Sequence, residues 1–179
     1  MSPESCTDPR VLSLVAAQQT WLHVDISSQT LTLLRGDQRA ATYRISTSRN
    51  GAGEASGSEC TPTGWHCVRA LIGADAPLGA VFRGRRPTGE VWSPVLHQAL
   101  PNRDWILTRI LWLSGLEPGH NRGGQVDSMR RYIYIHGTPD SEPMGVPLSH
   151  GCVRMRNSDI VELFDQVAAY TPVLIEAAL

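Results

Sequence analysis

The residues best suited to chemistry lie between Ile135 and Asn157, where His136-Gly137 is followed by Ser149-His150-Gly151-Cys152-Val153-Arg154. A thiol becomes a useful nucleophile when a base takes its proton and a nearby group stabilises the oxyanion formed on attack. His136 and His150 are the candidate bases nearby in sequence, and acyl transfer through a thioester is the chemistry such a set would perform. His150 precedes Cys152 by two residues, so an extended backbone puts the two side chains on one side. A histidinium beside the sulfur would hold it below the thiol reference of about 8.5. Arg154 follows Cys152 by two residues on the same side of an extended segment and is a candidate to hold a carboxylate. Its scaffold alternative is an ion pair with Asp159 or Glu162.

Those side chains need elements to position them. Arg131-Tyr132-Ile133-Tyr134-Ile135 reads as a strand delivering His136, with Tyr132, Tyr134 and His136 on one face. A loop containing Gly137, Pro139, Pro143, Gly145 and Pro147 returns the chain so that Cys152 faces His136. Asn157 or Ser158 is expected to cap a helix whose apolar positions Ile160, Leu163, Phe164 and Val167 follow helical spacing, with Asp159 in its first turn. Pro172 stops it, and Val173-Leu174-Ile175 closes the sheet.

Upstream, Asp8-Pro9 opens a short helix with Val11, Leu12, Leu14 and Val15 as its apolar side. From Trp21 the pattern alternates as a strand meander, with Leu31–Leu34 and Ala41–Ser46 continuing it; His23 reads as an outward strand residue. Residues 48–60, rich in Gly and Ser, read as a mobile loop beside the cleft. Cys60 and Cys67 either bridge across the Thr61-Pro62-Thr63-Gly64 turn or remain small, partly buried thiols. A zinc site with His66 and Cys67 is disfavoured because the paired Cys-x-x-Cys spacing is absent. The Pro- and Gly-rich stretch from Ala74 to Pro101 reads as an irregular insertion with Arg83, Arg85 and Arg86 clustered, a solvated loop or a partner for anionic carboxylates. Trp105–Leu113 is the central strand, and His120 and Asn121 fall in the loop after it, as solvated or cleft-lining residues.

At 179 residues, 41% hydrophobic, with a net charge of −1, the chain suits one domain with a real core and carries no charge excess toward nucleic acid. All 16 basic residues are arginine. No run reaches the roughly 18 apolar residues of a membrane span, and residues 1–6 lack a signal peptide's basic and apolar regions. The expected fold is mostly β: a single domain with one principal C-terminal helix and a long irregular insertion.

The His-Gly pair, variable loop and Ser-His-Gly-Cys block resemble the L,D-transpeptidase catalytic domain, the YkuD family. Ser46-Thr47-Ser48 with Thr61-Pro62-Thr63-Gly64 is similar to the family's "ST…TPxG" stretch, so the resemblance spans roughly residues 20–176. It divides the chain into an N-terminal segment, 1–20, and a catalytic domain, 21–179, of β-sandwich-like architecture. It implies that Cys152 attacks a peptide carbonyl of a peptidoglycan tetrapeptide stem and that His136 accepts the thiol proton while the Gly137 carbonyl orients its ring. Amides around His150-Gly151-Cys152 would bind the oxyanion, and His150 itself would orient or polarise. Tyr134, Ser149 and Arg154 are the candidate substrate-binding residues; some members carry asparagine where Arg154 stands.

An amine of another stem would resolve the thioester, without metal or organic cofactor. The implied partners are donor and acceptor stem peptides, met by a monomer in the cell envelope, in the periplasm. The alternatives are an L,D-carboxypeptidase or endopeptidase, in which water takes the thioester, and a non-catalytic wall-binding module.

Overall fold

In the computed structural model, which describes residue 13 and residues 19–177, the alternation from Trp21 becomes three antiparallel strands. These are β1 (Thr20–Asp25), β2 (Thr30–Arg35) and β3 (Gln38–Arg44). Apart from Ser13, the helix expected from Asp8 to Val15 lies outside the described residues. Next come β4 (Gly64–Ile72), β5 (Ala80–Arg83), β6 (Arg86–Val91), the short helix α1 (Pro94–Ala99) and the long strand β7 (Ile106–Gly115). The site elements follow: β8 (Tyr134–Gly137), β9 (Val153–Met155) and helix α2 (Asn157–Phe164), before β10 (Pro172–Glu176).

All ten strands join one mixed sheet in the order β3-β2-β1-β10-β4-β7-β5-β6, with β8 branching from β7 and carrying β9. The branch returns to the start of the sheet, because the Ser46 and Arg154 backbones exchange hydrogen bonds of 2.9 and 2.8 Å. The closed sheet encloses one principal core, to which Leu22, Leu33, Leu111, Ile135, Val153 and Val173 contribute together with Ile160 and Leu163 of α2. Each such side chain contributes about 1.5–3 kcal/mol on burial. The mostly β, sandwich-like reading with one principal C-terminal helix therefore describes the fold.

Several local expectations change. The strand carrying His136 begins at Tyr134; Tyr132 sits in the left-handed region at φ 58° and is exposed, so it leaves the His136 face. Neither Asn157 nor Ser158 caps α2: Arg156 occupies that position without a side-chain cap. The Asn157 amide instead donates inward to the Thr138 carbonyl at 2.9 Å. The stretch read as irregular contains the β5–β6 hairpin and α1, which is capped by Ser93 accepting from the Leu96 amide. Cys60 and Cys67 are free thiols: Cys67 is held inside β4 while the Cys60 sulfur turns toward the Asn50 and Ser58 carbonyls of its own loop. The loop of residues 48–60 is well bonded, as the Arg131 guanidinium donates to the carbonyls of Gly53, Glu54 and Cys60. Among the described residues no helix is long and apolar enough to cross a membrane.

Candidate active site

The parallel β8–β9 pair sets the site. Its register aligns Ile135 with Val153 and His136 with Arg154. Alternation sends Ile135, Val153 and Met155 into the principal core. Tyr134, His136, Cys152 and Arg154 belong to the opposite face, and Cys152 and Tyr134 join a smaller cluster with Ala80, Phe82 and Ile110. His136 and Cys152 are thus diagonal neighbours on one face.

Opposite β8, strand β7 bulges. Leu107 pairs with Gly137 and Ile110 with His136, which leaves Thr108 and Arg109 out of register. Thr108 adopts φ 69°, and its hydroxyl donates to Asn157 Oδ1 at 2.5 Å. Bulges of this kind re-aim side chains beside sites. Gly137 lies under this bulge, where a Cβ would come within 2.6 Å of Asn157 Oδ1 and 2.7 Å of the Leu107 carbonyl. Only glycine fits.

His136 is buried, and its Nδ1 lies 2.8 Å from the Gly137 carbonyl oxygen. A carbonyl only accepts, so Nδ1 carries the proton and Nε2 of the neutral ring presents a lone pair. Among the described residues no hydrogen bond occupies Nε2. Burial lowers the imidazole from its ordinary value, opposed by nearby Asp104 and by the Gly137 bond.

Cys152 is half-buried. The Tyr134 amide donates to its sulfur at 3.4 Å, and the thiol points to the Tyr132 carbonyl at 3.5 Å. Burial pushes the thiol up to about 12, against the lowering influence of the Tyr134 amide, Arg154 and Arg131. The expected thiol depression by a histidinium is therefore reversed: the same desolvation that raises the thiol lowers the imidazole, so both rest neutral. Such a pair moves its proton as the sulfur attacks.

The backbone around the nucleophile is held from three directions. Ser149 Oγ donates to the Cys152 carbonyl at 2.5 Å and accepts from the Gly151 amide at 3.2 Å. Thr61 Oγ1 donates to the Gly151 carbonyl at 3.0 Å. Gly151 takes φ 123°, and a Cβ there would meet the Cys60 carbonyl at 3.2 Å. The upstream Ser46-Thr47-Ser48 segment pairs along the motif, with the Ser149 amide donating to the Thr47 carbonyl at 2.9 Å. Because Ser149 occupies the Gly151 amide, the His150 and Cys152 amides are the ones that no hydrogen bond among the described residues engages.

The remaining sequence candidates divide. Arg154 pairs with Asp104 at 3.0 Å, a partner other than Asp159 or Glu162. His150 is exposed and, with Arg154, Asp104 and His97, lines a cavity of about 320 Å³. Tyr134 is buried, and its hydroxyl accepts from Arg85 at 2.9 Å. Asn121 is structural, its side chain bonding the Thr63 and Trp65 carbonyls, while exposed His120 lies 3.8 Å from Glu54 and 3.9 Å from Glu117. Ser149 was legible in the motif, and Arg85 stood in the arginine cluster read as a solvated loop or a carboxylate partner, but Asp104 and Arg131 carried no local signal; their roles arise from packing across distant segments. Among the described residues no group of three metal-ligating side chains forms.

The family model for the L,D-transpeptidase catalytic domain, YkuD, matches residues 19–175. The chain belongs to the L,D-transpeptidase catalytic domain family. A probable L,D-transpeptidase of Escherichia coli, YbiS, is 30% identical over 105 residues, which is 57% of this chain and 33% of that protein. A putative L,D-transpeptidase of Bacillus subtilis, YqjB, is 46% identical over 45 residues, 25% of this chain and 26% of that protein. The chain thus spans about a third or less of the curated relatives it matches. Among solved structures, an Enterococcus faecium L,D-transpeptidase superposes with TM-score 0.54 at 17% identity, covering 89% of this chain and 50% of that one. One from Mycobacterium smegmatis gives 0.53 at 17% identity, covering 89% and 59%. These two structures share the L,D-transpeptidase domain fold with this chain.

Proposed function

We propose that this protein is a cysteine-dependent peptidoglycan L,D-transpeptidase of the cell envelope, acting in the periplasm on tetrapeptide stems. The observation that carries the reading is the Nδ1–Gly137 bond of 2.8 Å, which fixes the His136 tautomer so that the lone pair on Nε2 belongs to the face of Cys152. As Sγ attacks the carbonyl carbon of the stem's diamino residue, Nε2 takes the thiol proton. The oxyanion is met by the His150 and Cys152 amides. The imidazolium then protonates the amine of the departing D-alanine, the C–N bond breaks, and a thioester remains on Cys152. An acceptor amine attacks that thioester, losing a proton to His136, and the sulfur leaves to be reprotonated.

Gly137 and Gly151 serve as backbone groups, since a Cβ would collide at either position. Ser149 holds the Cys152 carbonyl and so positions the nucleophile. Arg154 binds a donor carboxylate by exchanging Asp104, which is itself about half exposed (53%). His150, on the solvent side, borders the acceptor's approach.

Product analysis by mass spectrometry after incubation with a purified tetrapeptide stem tests the reading. A cross-linked dimer with released D-alanine supports transpeptidation. A tripeptide alone would make the protein a hydrolase, and an unchanged stem would leave a wall-binding module.

A further inference from the structure

Strand β5 packs beside the nucleophile, since Ala80 and Phe82 share a cluster with Cys152, and the β5–β6 turn reaches the tyrosines next to it. That turn is Gly84-Arg85, both in the left-handed region at φ 55° and 67°. Arginine at such a position is uncommon, and an outlier of this kind persists where surroundings over-determine it. Here the guanidinium carbon lies 4.4 Å from the Trp112 ring centroid and 4.9 Å from that of Tyr132. Nη1 donates to the Tyr134 hydroxyl at 2.9 Å.

The same two tyrosines touch the nucleophile through their backbones, as the Tyr134 amide and the Tyr132 carbonyl lie 3.4 and 3.5 Å from the Cys152 sulfur. Arg85 is therefore joined, through the side chains of both tyrosines, to the segment whose backbone contacts the nucleophile. Ring contacts use the faces of a guanidinium and leave its edges, and of five N–H donors one is committed to Tyr134. Among the described residues no carboxylate pairs with Arg85. A planar cation held by two aromatic rings with free donor edges is built to take a carboxylate in bidentate fashion, at reduced ordering cost.

We infer that Arg85 is a specificity-determining residue that binds a carboxylate of the acyl donor flanking the scissile bond. This rests on the proposed transpeptidase reading. Two donor carboxylates meet the description: the C-terminal one of the leaving D-alanine and the side-chain one of a dicarboxylic diamino residue.

The test is calorimetric binding in the Cys152→Ala background, so that affinity is read without turnover; product analysis of the intact protein separately tests the reaction. Three stem tetrapeptides are compared: the free acid, its C-terminal amide, and the peptide amidated on the diamino residue's side chain. Arg85→Gln is expected to weaken the free acid by roughly 10- to 150-fold, the range for a lost charge-assisted pair. It should leave unaffected the one peptide whose amidation removes the recognised carboxylate, and that peptide identifies the carboxylate. Arg85→Lys should restore part of the loss. Equal weakening of all three peptides would make Arg85 only a clamp for the hairpin, and unchanged binding of the free acid would equally overturn the inference.

Discussion

His66 on β4 and His136 on β8 are both buried strand histidines, at 0% and 1% exposure, and each places Nδ1 against a nearby backbone carbonyl. They differ at the second nitrogen. His66 Nε2 accepts from the Ser128 hydroxyl at 2.9 Å, which completes its bonding. Among the described residues His136 has no such partner, and the β8–β9 register puts it on the face of Cys152. A saturated imidazole is a structural tie, whereas a half-bonded one is a base with a fixed tautomer.

The largest effect is on turnover. His136→Ala should lower kcat per folded molecule by roughly 10²- to 10⁴-fold, the usual contribution of general base catalysis, in addition to the stability that any buried side chain loses on truncation. His66→Ala should leave activity per folded molecule within a few-fold while costing about 2–5 kcal/mol in denaturant unfolding through its cavity and an orphaned Ser128 hydroxyl. A collapse of kcat in the His66 variant would erase the distinction.

The arginines repeat the pattern at smaller scale. Arg131 spends its donors on the carbonyls of Gly53, Glu54 and Cys60, so its loss should loosen the loop and lower the melting temperature. Arg154 has one partially exposed carboxylate partner, and Arg154→Ala should lower kcat/KM by roughly 10- to 150-fold, the span of a charge-assisted hydrogen bond, with lysine restoring part. Steady-state kinetics beside thermal melts separate the two.

Acidity probes the same groups. Burial lowers His66 from 6.5 to about 4, so the unfolded chain binds more protons in that window. Stability is complete above pH 6.5 and falls as the pH drops toward 4, by about 3 kcal/mol for this one group. His136 shifts in the same direction and adds to the loss. Urea titrations from pH 7.5 to 4 should show this slope flattened in His66→Gln. Because Cys152 is pushed up to about 12, its alkylation by iodoacetamide should be slow at neutral pH and should accelerate into the alkaline range. Fast, pH-independent alkylation would point to a preformed thiolate instead. The smallest effect expected is Cys60→Ser, whose thiol bonds only within its own loop, with kcat within about twofold in the same assay.

Where local chemistry decided the outcome, the chain was readable. The alternation at Trp21–Asp25, the apolar positions Ile160, Leu163 and Phe164 of α2, and the Ser149–Cys152 block each carry their own period or motif, although α2 ends at Phe164, short of Val167 and well before Pro172. What escaped depends on distant partners. Tyr132 looks like a strand residue but turns left-handed where the chain enters β8. Asn157 looks like a cap, yet Thr138 and Thr108 draw its side chain inward. The hairpin at Arg85 was hidden because glycine and proline serve tight turns as readily as loops. The thiol was misjudged because desolvation, invisible in spacing, outweighs the neighbouring positive charges.

If Cys152 carries the acyl group, that species can be trapped. The protein is mixed with the tetrapeptide donor without acceptor, quenched in acid, and subjected to intact-mass measurement and peptide mapping. The expected result is a single acyl adduct on the peptide containing Cys152, equimolar release of D-alanine, and loss of both in Cys152→Ala. An adduct on another residue, or D-alanine release that survives Cys152→Ala, would contradict it.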